Sequence, residues 1–198
     1  MKITSASFGP FDNNSYLLAD ADEVVLVDAA QDAPALLDWI DGRRVSAIVT
    51  THRHPDHVAA LREVARVTGA RLLAGAPDAE AVAAAAGREV EGLWDGDVAG
   101  VGGGVWEVIG LVGHTPGGIA LAFVPDAGPA TIISGDSLFP GGVGKTRTPE
   151  EFASLLGGVR TKLFDRFGDD TAVLPGHGLP TTLGAERPHL DEWKTRGW

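Results

Sequence analysis

A chain of 198 residues with 44% hydrophobic and 22% charged residues has the size and composition of an ordinary globular domain with a sizeable core. Lysine plus arginine number 16 against 27 for aspartate plus glutamate, a formal net charge of −11 that repels phosphate backbones and argues against nucleic acid as substrate. The chain has no cysteine, which excludes disulfides, thiolate metal ligands and a cysteine nucleophile.

The stretch Met1-Lys2-Ile3-Thr4-Ser5-Ala6-Ser7 lacks the apolar run of a secretory signal. No segment approaches the roughly 20 apolar residues that span a bilayer. A cytoplasmic protein without membrane contact is expected, as one domain over residues 1–198 with no linker, repeat or low-complexity block. Short Val- and Ile-rich runs predict strands at Ser15–Leu18, Val24–Val27, Ala47–Thr50, Val105–Val112, Ile119–Phe123, Ala130–Ser134 and Ala172–Leu174. Helical spacing predicts Ala33–Asp41 behind an Asp32 cap, Asp56–Thr68 closing before Gly69, the alanine-rich Ala79–Ala86, Glu150–Phe164 after Pro149, and Pro188–Lys194. The run Gly100–Gly104 reads as a turn between strands. The interleaving of strands and helices indicates an α/β or mixed-sandwich class.

Five polar residues stand just past predicted strands: Asp28, His52, His114, Asp136 and His177, most of them beside Gly or Pro. Loops at strand ends are favoured places for sites, because a rigid sheet aims several side chains at one point. The densest chemistry is His52-Arg53-His54-Pro55-Asp56-His57, which holds three of the six histidines. Imidazole and carboxylate are the ligands of zinc and iron. On an extended segment His52 and His54 face the same way, so both can reach one metal. Asp56 and His57 sit near a helix start, where Pro55 suits the strand-to-helix change and the turn can aim the pair at a neighbouring metal. Further ligands must come from His114, Asp136, His177 or His189, and a carboxylate between small residues, as in Gly135-Asp136-Ser137, is suited to lie between two cations. A lone histidine such as His189 reads as structural. Trp94, Trp106 and Phe139 are expected in the core rather than in a pocket, and Trp193 and Trp198 in the packing of a terminal helix or in a dimer contact.

Five segments in order resemble the motifs of the metallo-β-lactamase superfamily: Asp28, Thr51-His52-Arg53-His54-Pro55-Asp56-His57, Gly113-His114-Thr115-Pro116-Gly117, Gly135-Asp136-Ser137, and Pro175-Gly176-His177-Gly178. The resemblance runs from about residue 3 to about residue 180. It implies an αββα sandwich, two mixed β-sheets flanked by helices, with two divalent metal ions at one sheet edge: zinc, with iron or manganese as alternatives. It implies that His52, His54 and His114 hold the first metal, that Asp56, His57 and His177 hold the second, and that Asp136 bridges them. Asp28 would orient the histidine loop.

The β-lactamases of this superfamily use a cysteine ligand or lack the bridging aspartate, so Asp136 and the absence of cysteine point away from β-lactams. Gly135-Asp136-Ser137-Leu138-Phe139-Pro140-Gly141-Gly142-Val143-Gly144-Lys145 is similar to the glyoxalase II group, which implies a substrate-binding role for Lys145 and, less directly, Arg147. The chain departs from that group in Val58-Ala59-Ala60 after the second motif, in Gly118 after the third, and in having 21 residues after His177. It therefore resembles the short single-domain glyoxalase II-like hydrolases more than the full-length enzyme; these departures weigh against glutathione as the thiol, and which thiol is left open. The activity implied is hydrolysis of a small ester, a thioester first, by a metal-bridging hydroxide, with Asp56 the one visible acid–base group. The alternatives are a mono-iron persulfide dioxygenase, a lactonase, whose substrate tyrosine could only be Tyr16, a phosphodiesterase, or a non-catalytic binder. Oligomeric state is left open.

Overall fold

The computed structural model describes residues 2–20, 23–101 and 104–197. A first group of strands comprises β1 (Lys2–Phe8), β2 (Asn13–Asp20), β3 (Glu23–Val27), β4 (Arg44–Thr50), β5 (Arg71–Gly75) and β6 (Glu91–Leu93), which form a six-stranded sheet in that order. A second group comprises β7 (Val98–Val101), β8 (Gly104–Gly110), β9 (Ile119–Phe123) and β10 (Thr131–Gly135). The small hairpin β11 (Leu138–Phe139) and β12 (Gly142–Val143) follows, and then β13 (Ala172–Pro175) and β14 (Thr181–Thr182). The second sheet has the order β14-β13-β10-β9-β8-β7. Helices α1 (Ala33–Ile40), α2 (Pro55–Val58), α3 (Leu61–Thr68) and α4 (Ala79–Ala86) belong to the first half of the chain, and α5 (Pro149–Val159), α6 (Leu183–Glu186) and α7 (Leu190–Arg196) to the second.

Strand alternation explains the layers. In β3, Val24 and Leu26 join Leu36, Ile40, Leu61, Val64 and Val82 of the helices on the outer face of the first sheet. Val25 and Val27 point the other way and meet Trp106, Val108, Leu121 and Ile133 of the second sheet. On the far side, Ile109, Ala120, Ile132 and Val173 pack against Leu155, Val159, Phe164 and Trp193. Three apolar layers between four layers of secondary structure make the αββα sandwich, and they account for an uninterrupted run such as Val24-Val25-Leu26-Val27: this strand is covered on both faces.

The pairing of strands also positions the loops. β3 and β4 are parallel, with Val27 opposite Val49, so Asp28 and His52 leave the sheet at the same edge. β10 and β13 are parallel, with Gly135 opposite Pro175, which does the same for Asp136 and His177. β8 and β10 are both antiparallel to β9, so β8 also ends at that edge, four residues before His114. All five loops leave carboxyl ends of strands, the side on which open sheets bind ligands.

Three expected helices are divided. Asp56–Thr68 forms as α2 and α3, because the Ala60 amide donates to the carbonyls of Ala29 (3.2 Å) and Ala30 (3.1 Å) instead of continuing the first helix. Glu150–Phe164 starts at Pro149 and changes at Arg160 into a π-helical turn to Phe164, with Asp165 N donating to Arg160 O at 2.9 Å. Pro188–Lys194 becomes a 3-10 turn, Arg187–His189, followed by α7. Asp32 caps α1 as expected, accepting from Ala35 N at 3.2 Å. Strands β1, β5, β6, β7 and β14 and the β11–β12 hairpin had no counterpart among the expected elements. Gly102, Gly103 and Trp198 lie outside the described residues. Among the described residues, no helix is long and apolar enough to cross a membrane.

Leu121, fully buried between the sheets, provides the test of this layering. Leu121→Ala is expected to lower the unfolding free energy by about 3 kcal/mol, read as a reduced urea midpoint with an unchanged denaturant slope.

Candidate metal centre

The site is organised from Asp28. This residue follows β3 in the left-handed region, at φ 57°, which aspartate tolerates better than most residues. Its backbone is fixed by Asp28 N donating to Val49 O (2.9 Å) and by Ser15 Oγ donating to Asp28 O (2.6 Å). Its buried carboxylate accepts from Thr51 N and Thr51 Oγ1, both at 2.7 Å, and meets His57 Nδ1 at 2.9 Å.

Partners of this kind set the tautomers of the rings. Thr51 Oγ1 gives its proton to Asp28, so at 3.1 Å it accepts from His52 Nδ1. His114 Nδ1 faces Lys145 O and His177 Nδ1 faces Phe11 O, each at 2.7 Å. A carbonyl only accepts, so both Nδ1 atoms carry protons. In the neutral form of four rings, His52, His57, His114 and His177, Nε2 is the nitrogen left with a lone pair, and it faces a common point, the arrangement in which a metal ligand is oriented by its other nitrogen.

Asp136 stands at that point. Its Oδ1 lies 3.4 Å from His57 Nε2, and its Oδ2 lies 3.4 Å from both His114 Nε2 and His177 Nε2 and 3.9 Å from His52 Nε2. Gly176 permits this closeness, since a Cβ there would overlap Asp136 Oδ1. His54 completes the set, its ring edge-on to those of His52 and His114 at centroid distances of 4.8 and 4.5 Å. Three groups of side chains offer ligand atoms within 4.8 Å of one another: His52/His54/His114, Asp56/His57/His177, and His52/His57/Asp136 between them. His52 Nε2, His114 Nε2 and Asp136 Oδ1 are buried and have no hydrogen-bond partner among the described residues. Buried polar atoms without partners are costly, and an all-nitrogen-and-oxygen donor set aimed at one place fits a divalent cation.

The electrostatics agree with that donor set. Burial, reinforced by the neighbouring imidazoles, pushes His52 well below its ordinary value and His54 below it, so both rings are neutral, as ligation requires. Burial opposes ionisation of Asp136, but the imidazoles of His114 and His177, with His52 and His57, hold its carboxyl well below the usual range. Asp136 in turn pulls His177 up to about 9, so a metal at that nitrogen would have to displace a proton. His57 is raised because the charge of Asp28 and its hydrogen bond outweigh burial.

Two residues at the site had no role in the sequence reading. Asn13 is fully buried; its amide donates to Asp56 Oδ2 at 2.9 Å and its Oδ1 accepts from Gln31 Nε2 at 2.9 Å. The adjoining pair Asn13-Asn14 at a strand start was the available signal. Asp78 is fully buried and accepts from Arg53 N and Gly117 N, both at 3.1 Å, so it ties the His52–His54 loop to the loop that carries His114.

Other expected residues fall elsewhere. Lys145 offers its carbonyl to His114, and it borders a cavity of about 210 Å³ with Phe139, Val143, Phe152, Trp193 and Arg196 that includes none of the seven clustered residues. Phe139, expected in the core, is half-buried with its ring 6.3 Å from that of His177. Trp106 and Trp193 are core residues as expected, and the half-buried Trp94 packs against the layer between the sheets. Tyr16 is buried, with its hydroxyl on Pro175 O and burial pushing its pKa up, so it is not presented to a substrate. His189 is exposed beside Glu192, away from the cluster.

A family model of the metallo-beta-lactamase superfamily matches residues 8–178, and the chain belongs to that superfamily. It is 26% identical to hydroxyacylglutathione hydrolase GloC of Haemophilus influenzae, over 88% of this chain and 89% of that one. Among solved structures it is similar to BLEG-1 B3 metallo-beta-lactamase, with TM-score 0.80 and 25% identity over 95% of this chain and 97% of the other. It is also similar to TTHA1623 solved in a di-iron-bound form, with TM-score 0.75 and 29% identity over 93% and 96% of the two chains.

Asp28→Ala leaves Thr51 N, Thr51 Oγ1 and His57 Nδ1 without their acceptor. It is expected to weaken metal binding by about 10-fold to 100-fold, measured by competition with a chromogenic chelator. Asn13→Ala is expected to act in the same direction through Asp56.

Proposed function

We propose that the chain is a two-metal hydrolase of small thioesters. The observation that carries this reading is the position of Asp136, with one carboxylate oxygen toward His57 and the other toward His52, His114 and His177. In this reading His52, His54 and His114 hold one metal, Asp56, His57 and His177 hold the other, and Asp136 is shared. When bound, such a pair supplies hydroxide at neutral pH and polarises the scissile carbonyl. Zinc fits the donor set, and so do iron and manganese.

Thioester specificity is supported by the leaving group the site can serve. Asp56 is the acid–base candidate nearest the cluster. Burial raises its pKa, but the Asn13 amide and the neighbouring His57 and His177 outweigh this and hold it below the usual carboxylate value. At neutral pH it is a carboxylate, able to bind a metal or take a proton but not to donate one. A thiolate departs without protonation, whereas an alkoxide or amide anion needs it. The name of the Haemophilus influenzae relative, a hydrolase of a hydroxyacyl thioester, points the same way.

Metal analysis of freshly purified protein is expected to give close to two ions per chain; a single iron, with oxygen uptake on a persulfide, would replace this reading with the mono-iron dioxygenase. The metal-loaded protein is expected to hydrolyse thioesters in preference to lactones and β-lactams. His54→Ala and Asp56→Ala are each expected to reduce turnover to background while leaving the far-ultraviolet circular dichroism unchanged, and full activity in either metal-loaded variant would refute the assignment. Because a metal that binds only the folded chain stabilises it by about 2.7 kcal/mol at a hundred times its Kd, chelation is expected to lower Tm by roughly 5–10 °C.

A further inference from the structure

A cavity of about 150 Å³ is bordered by His54 and His114, and its remaining lining includes Arg53, Arg147, Thr115 and Glu151. The Nε of Arg53 lies 3.4 Å from the buried Asp78 carboxylate, which tethers the guanidinium. Its terminal nitrogens have no partner among the described residues, nor does the Arg147 guanidinium; the Arg147 main chain alone is engaged, donating to Glu151 Oε2 at 2.8 Å. The one acidic lining residue is thus turned to the backbone at the start of α5, where Thr148 Oγ1 also accepts from Glu151 N at 3.2 Å. Two arginines therefore border this one small cavity, in a chain of net charge −11: Arg147 with a guanidinium unpaired among the described residues, and Arg53 with terminal nitrogens still available beyond its contact with Asp78, the donors that a small anion would need.

We propose that this cavity takes a carboxylate at the far end of the substrate's acyl group, so that the preferred substrates are half-thioesters of short dicarboxylic acids. The inference rests on the thioesterase reading and names its substrate class. The acyl half is indicated because His54 and His114 themselves wall the cavity, which places it next to the reacting carbonyl, and because its volume is below the 300–1,000 Å³ of ordinary ligand sites. In the reaction, the oxygen of water bonds to the acyl carbon and the C–S bond breaks with its electron pair going to sulfur. The new carboxylate, the thiol and one proton leave.

The test compares three esters on the metal-loaded protein: the succinyl and butanoyl thioesters of N-acetylcysteamine, and the butanoyl thioester of 3-mercaptopropionate, which carries its carboxylate on the thiol side. Wild-type protein is expected to prefer the succinyl ester. Arg147→Ala and Arg53→Gln are expected to lower the succinyl-to-butanoyl ratio of kcat/KM by about 10-fold to 100-fold, mainly through KM and at unchanged metal content, with Arg147→Lys recovering part of the loss. An unchanged ratio overturns the proposal and leaves the hydrolase reading in place, and so does a loss confined to the 3-mercaptopropionate ester. If wild-type protein hydrolyses none of the three, the thioesterase reading falls. Calorimetric titration with succinate then judges the cavity alone: binding at least about 10-fold weaker in Arg147→Ala keeps it as a carboxylate site, and equal binding overturns it.

Discussion

The carboxylate of Asp28 is the interaction on which the rest of the site depends. It is removed from solvent, yet three donors surround it, and each comes from the segment that carries the histidine cluster. A buried charge is tolerated only when it is fully hydrogen-bonded, so the loop after β4 has one low-energy way to leave the sheet. Thr51 relays the same constraint to His52 by giving Asp28 its proton and accepting one from the ring. The carbonyls of the next two residues, Ala29 and Ala30, then capture Ala60 and end α2 at the turn that sets His57 in place. A single side chain at the end of β3 thereby governs both halves of the histidine segment.

The second sheet contributes its side chains to the cluster by a different route. Asp136 and His177 leave adjacent parallel strands, and the Asp136–Gly176 approach is as close as it is because glycine has no Cβ to interpose. The first sheet thus orients its rings through side-chain hydrogen bonds, and the second through strand register and main-chain contacts. The two sheets are held at fixed separation by the layer of Val25, Val27, Trp106, Leu121 and Ile133, so the distance between the two ligand groups is a property of the core packing.

Much of this was legible in the sequence, and the reasons differ by element. The Val- and Ile-rich central strands announce themselves because both faces are buried, and the five polar residues that follow them stand out against apolar runs. Two other strands did not: the edge strand Lys2–Phe8 mixes polar and apolar residues with partial exposure, and the interior strand Arg71–Gly75 is rich in Leu and Ala, which favour helix as readily as strand. The divided helix at Ala59-Ala60 was invisible because periodicity continues across it; the break comes from an amide drawn to a distant loop, a tertiary effect. Asn13 and Asp78 escaped notice because an amide is not a usual metal ligand and because Asp78 stands apart from the histidine-bearing segments, in a turn that resembles a surface one. Their roles come from what β2 and the turn after β5 bring near them.

The rings of His114 and His177 are held by the main-chain carbonyls of Lys145 and Phe11, and the side chains of these two residues are exposed. A peptide carbonyl survives any substitution of its own side chain. Side-chain changes at residues 11 and 145 therefore leave both carbonyl contacts to these rings available. In this architecture the rim can diverge from one descendant to another while the geometry of the histidine–aspartate cluster stays constant, so a lineage can change what surrounds the cluster by single steps that leave its donor set intact.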